Sequence, residues 1–130
     1  MDFNTIIQSI KAKEFKPIYF LHGEEPYFID EITNAIIENS LDEAERDFNQ
    51  AIVYGKDSDV LQIISQAKEY PMMAQRRLVV VREAQDLKKI EELASYMEDP
   101  NENTVFVINY KFKKFDSRKK IFKAAKKNGV

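Results

Sequence analysis

The amino-acid sequence predicts an α/β fold of three layers, a mostly parallel sheet with helices on both faces. Three observations predict it. Four short apolar runs, rich in β-branched and aromatic residues, have the length and composition of strands. Segments with apolar residues at helical spacing separate them. Alternation of this kind implies parallel strands joined by crossover helices. The third observation is size: 130 residues make one domain, residues 1–130, with enough chain to bury a core unaided.

The elements follow in order. Phe3, Ile6, Ile7 and Ile10 lie at i, i+3, i+4 and i+7, the spacing of a short amphipathic helix, and Asp2 is placed to cap its start. After Lys16 and Pro17, the run Ile18, Tyr19, Phe20, Leu21 ends at His22 and Gly23, as in a strand covered on both faces. Pro26 stands where a first helical turn tolerates proline. Phe28, Ile29, Ile32, Ala35, Ile36 and Ile37 then continue at helical spacing. Residues 49–54 read as the second strand, stopped by Gly55. Asp57 and Ser58 are read as the cap of a helix carrying Val60, Leu61, Ile63, Ile64 and Ala67. Leu78, Val79, Val80 and Val81 are the third strand. Leu87, Ile90, Leu93, Ala94 and Met97 are read as the apolar face of a further helix, and residues 105–110 as the fourth strand. Asp116 and Ser117 are expected to cap a last helix at about residues 118–127, closed by Asn128 and Gly129. A fifth strand is expected just beyond Val130.

Composition removes whole classes of chemistry. The chain has no cysteine and one histidine, His22. A disulfide scaffold, a thiol nucleophile, a cysteine-based cluster and a two-histidine metal site are thereby excluded. No apolar run approaches the ~20 residues that span a bilayer, and the N-terminus lacks the pattern of a signal peptide. A cytoplasmic location without membrane attachment is the expectation. Net charge is −2, but residues 1–65 carry −8 and residues 66–130 carry +6. Such asymmetry fits either two differently solvated faces or an anionic partner at one end.

In parallel α/β folds ligands sit beyond the C-terminal ends of the strands, so the turn after the first strand is the first place to look. A phosphate loop needs glycines for backbone approach, a lysine for the β- and γ-phosphates and a hydroxyl for Mg²⁺. With Gly23 as the first glycine, the second glycine falls on Phe28, the lysine on Ile29 and the hydroxyl on Asp30. None fits, Glu24 and Glu25 add negative charge, and Pro26 removes an amide donor. No cofactor, metal or catalytic residue is assigned. Glu83 and Asp86 follow the third strand but have no phosphate lysine to work with, and read as capping or surface carboxylates. His22, without a nucleophile partner, reads as a packed histidine.

Residues 70–77, YPMMAQRR, lie between a helix and a strand and belong on the surface. Yet Tyr70, Met72 and Met73 are large and apolar. Methionine is common at adaptable binding surfaces, and grouped exposed apolar side chains mark partner sites. The other reading is that they tuck under the sheet as core. The basic stretch that holds Lys113, Lys114, Arg118, Lys119 and Lys120 supports at most phosphate-backbone contact with DNA, without sequence reading. Phe122 is expected to face the core with Ile121.

With residues 17–31 (PIYFLHGEEPYFIDE), residues 70–81 (YPMMAQRRLVVV), residues 79–89 (VVVREAQDLKK) and residues 104–129 (TVFVINYKFKKFDSRKKIFKAAKKNG), the chain resembles the N-terminal domain of the delta subunit of bacterial DNA polymerase III. The resemblance runs through nearly the whole chain in order. It implies an AAA+-like, P-loop-like fold with a degenerate nucleotide site, and further helical domains outside this chain. It also implies a clamp-loader subunit that binds and helps open the sliding clamp (the beta subunit) during DNA replication, without ATP hydrolysis of its own. By position, Tyr70, Met72 and Met73 are the implied clamp contacts; the family often has leucine and phenylalanine where Met72 and Met73 stand. Other clamp-loader subunits are implied partners through the further domains. A nucleic-acid-binding module using the basic C-terminal helix is the alternative.

Overall fold

The structure is a computed structural model that describes residues 2–112 and 120–129. Four strands, β1 (Ile18–Gly23), β2 (Gln50–Tyr54), β3 (Arg77–Arg82) and β4 (Thr104–Lys111), form one sheet of order β1-β4-β3-β2. All three pairings are parallel. The strands therefore begin along one edge of the sheet and end along the other.

Helices cover both faces. α1 (Phe3–Lys11) and α2 (Pro26–Ser40) pack on one. There Ile6, Ile10, Ile29, Ile32 and Ile36 meet Tyr19, Leu21, Leu78, Val80, Val105 and Val107 of the strands. α4 (Val60–Lys68), α5 (Ala94–Met97) and α6 (Lys120–Asn128) cover the other. There Ile63, Ala67, Met97, Ile121 and Ala125 meet Ile18, Phe20, Val79, Val81, Phe106 and Ile108. Successive strand residues feed opposite cores because side chains alternate along a strand. That is why the runs are apolar throughout rather than every second residue.

The predicted caps hold at the start of the chain. The Thr5 N–H donates to Asp2 Oδ1 at 2.8 Å, and Pro26 opens α2. Three expectations are corrected. α4 is capped by Asp59, whose Oδ1 accepts from the Gln62 N–H at 2.9 Å, while Asp57 belongs to a 3₁₀ turn, Gly55–Asp57. The helix read over residues 87–97 is broken into a 3₁₀ turn, Ile90–Leu93, and the single turn of α5. Its apolar residues recur mainly every three positions, which suits a 3₁₀ turn as well as an α-helix. Left-handed backbone at Lys89 (φ 59°) starts the turn there. Finally, α3 (Glu43–Asn49) precedes β2, where no element was predicted. The signal was present: Asp42 and Glu45 form a capping box, and the Asp42 N–H donates to Glu45 Oε1 at 2.9 Å. The predicted cap at Asp116 and Ser117 lies outside the described residues.

Among the described residues no helix is long and apolar enough to cross a membrane.

Candidate functional site

At the C-terminal edge of the sheet, the turn after β1 is filled by the protein's own charges. Ile29, at the lysine position of a phosphate loop, is buried on the core-facing side of α2. Asp30, at the hydroxyl position, takes an ion pair from Lys111 at the end of β4, Nζ to Oδ1 2.7 Å. Glu83 Oε1 lies 3.8 Å from the same ammonium. Gln85 joins them, accepting from the Lys111 N–H at 3.1 Å and donating to Glu83 Oε2 at 2.8 Å. Gly23 has φ 141°, a conformation that favours glycine, so it serves the turn geometry. His22 sits 5.4 Å from the Phe20 ring, and desolvation lowers its pKa. The ordinary function of a strand-end crevice, cradling an anion, is opposed here by four carboxylates at Glu24, Glu25, Asp30 and Glu83.

The opposite edge is built differently. The loop from α4 to β3 carries Tyr70, Met72 and Met73, which are 80%, 58% and 98% exposed. They do not tuck under the sheet; of the loop's apolar residues only Ala74 packs against the core. Exposure alone would describe a slack loop, but this one is pinned at three places.

Asn49, buried at the end of α3, holds the middle. Its Nδ2 donates to the Met72 carbonyl at 2.8 Å, and its Oδ1 accepts from the Met72 N–H at 2.6 Å. A third bond runs from Nδ2 to the Glu45 carbonyl at 3.0 Å. An amide side chain thus pairs with the Met72 backbone as a neighbouring strand would. Arg76 holds one stem: it donates to the Ser40 carbonyl at 2.9 Å, and its guanidinium stacks 4.7 Å from the Phe15 ring centre. Arg77, buried, holds the other. It donates to the carbonyls of Gln66 (2.8 Å) and Phe48 (3.2 Å) and to the Gln66 side chain, and pairs with Glu69 at 2.8 Å.

With both stems and Met72 fixed, Met73 takes a left-handed backbone, φ 55°. This conformation is uncommon for a residue with a side chain, and persists where the surroundings determine it. The result is an apolar tip presented to solvent on a fixed frame. Asn49→Ala is expected to cost about 1–2 kcal/mol of stability, because two Met72 backbone groups lose their partners. Amide hydrogen exchange at Met72 and Met73, compared with the wild type, checks whether the loop loosens as well.

Sequence reading found the three tip residues but missed Asn49, Arg76 and Arg77 as their supports. The basic residues stand elsewhere. Lys113, Lys114, Arg118 and Lys119 lie outside the described residues. Lys120 is exposed and lines a groove with Glu91, Glu92 and Glu98, an acidic surrounding that disfavours a phosphate. Among the described residues no cluster of three or more His, Asp or Glu is placed to hold a metal.

Comparison with known proteins places these features in context. The family model described as DNA polymerase III, delta subunit, matches residues 19–130. The chain is 35% identical, over 93% of its length, to DNA polymerase III subunit delta of Bacillus subtilis, and spans 38% of that protein. The structure of the Bacillus subtilis DNA clamp loader delta protein (YqeN) superposes with a TM-score of 0.86 at 30% identity, covering 99% of this chain and 41% of that one. A DNA polymerase III gamma subunit-related protein from Thermotoga maritima shares the fold, with a TM-score of 0.59 at 15% identity over 100% of this chain and 44% of that one.

Proposed function

Because the chain belongs to the DNA polymerase III delta-subunit family, we propose that it is the clamp-contacting part of a clamp loader, with Tyr70, Met72 and Met73 as the contacts. The observation that carries the reading is the pinned apolar tip: three large exposed side chains on a loop held by buried Asn49 and Arg77. Apolar side chains exposed together on a rigid frame bind without a large ordering cost.

The mechanism is differential binding rather than catalysis. A ligand that prefers the open ring shifts the closed–open equilibrium by its difference in affinity for the two. The tip supplies the contact, and α4, which leads into it, bears on the ring interface. The chain contributes no catalytic group, and the ATP used in loading is hydrolysed by other subunits. The ion-paired Asp30, Lys111 and Glu83 network supports this division of labour. The working location is the cytoplasm, where replication proceeds.

Gly129 makes a parallel bridge to Ile18, on the open edge of β1. A Cβ at Gly129 would lie 2.0 Å from the Ile18 carbonyl, so only glycine permits that approach.

The test is titration of the protein against a sliding clamp. Saturable binding that is lost when the tip is truncated supports the reading; a folded protein that does not bind refutes it.

A further inference from the structure

We infer that Phe48 is a fourth apolar contact of the tip, binding the same sliding clamp beside Tyr70, Met72 and Met73. This rests on the clamp-contact reading above. Phe48 lies in the last turn of α3 and is 67% exposed. The rest of α3, residues 43–47 (EAERD) and Asn49, offers it no apolar stripe, so it is not the edge of a core-facing helix face. An aromatic ring left 67% exposed in so polar a helix gains little from folding.

Its placement is set by the supports of the tip. The Phe48 carbonyl accepts from Arg77 at 3.2 Å. The next residue, Asn49, is bonded twice to the Met72 backbone, at 2.6 and 2.8 Å. Phe48 is therefore tied to Met72 through one side chain and to the base of the loop through another. Both exposed side chains therefore stand at the same edge of the sheet, joined through Asn49, so a partner that covers Met72 is within reach of Phe48. That shared edge commits Phe48 to the partner of the loop. Aromatic side chains also dominate the energetics of such contacts.

The experiment measures clamp affinity for the wild type, Phe48→Ala, Met72→Ala/Met73→Ala and Tyr54→Ala. Tyr54 is 47% exposed at the opposite end of the sheet, the last residue of β2, and serves as a control for losing an exposed aromatic. Phe48→Ala is expected to weaken binding about tenfold with an unchanged Tm, and Tyr54→Ala to leave affinity within about twofold of wild type, as for a residue outside the contact. Wild-type affinity in Phe48→Ala, with binding lost in the double methionine variant, overturns this inference and leaves the clamp reading standing. Equal losses in Phe48→Ala and Tyr54→Ala overturn it as well. No binding by the wild type overturns both.

Discussion

Met72→Ala/Met73→Ala is expected to weaken clamp binding on the order of a hundredfold, the loss of roughly 1.5 kcal/mol of apolar burial at each side chain. Both side chains stand largely in solvent, Met73 almost entirely so. Their removal leaves the cores intact, and Tm is expected to stay within about 2 °C, as for surface changes generally. The two measurements together separate contact from folding. Loss of affinity with an unchanged Tm is the signature of an interface anchor. Salt dependence gives a second discriminator. Apolar contact responds weakly to ionic strength, whereas binding through the basic stretch would fall steeply with added salt and survive the double substitution. Retention of wild-type affinity in the double variant would remove the tip from the interface.

Arg77→Met is expected to destabilise the fold by about 3 kcal/mol, lowering Tm by roughly 10 °C. The guanidinium is buried and donates to the carbonyls of Gln66 and Phe48 and to the Gln66 side chain. Methionine fills the volume but supplies no donor, so those acceptors lose charge-assisted bonds. The ion pair with Glu69 is a lesser part, because that carboxylate is 58% exposed and solvent screens it. Glu69→Gln is accordingly expected to cost less than about 1 kcal/mol. Denaturant midpoints of the two variants check the ranking. Equal costs would mean that the exposed pair, rather than the carbonyl bonds, carries the stabilisation. Clamp affinity should also fall in Arg77→Met at temperatures where it remains folded, since the same side chain holds the base of the loop and the end of α3.

The two edges of the sheet show why one prediction needed no structure and another did. The absence of a phosphate-loop lysine and hydroxyl after β1 is a property of residue identity at fixed offsets, and Ile29 and Asp30 could be read directly. What occupies that edge instead, Lys111 between Asp30 and Glu83, joins residues far apart in the chain. No local pattern announces it. The tip residues were visible because large apolar side chains in a loop are anomalous by themselves. Asn49 was not, because a single asparagine before a strand has many ordinary uses, and its partner Met72 lies 23 residues away.

Local pattern alone determined the strands, most helices and the parallel arrangement, because burial on both faces writes continuous apolar runs and helical spacing into the sequence. It also determined that the chain lacks the residues of a phosphate loop. Only the tertiary structure decided that residues 70–73 project from the fold instead of tucking under it. The reason is energetic and non-local. Exposure of Met72 and Met73 is set by three groups of bonds, from Asn49, Arg76 and Arg77, that form once α3, α2 and α4 are packed around the edge of the sheet.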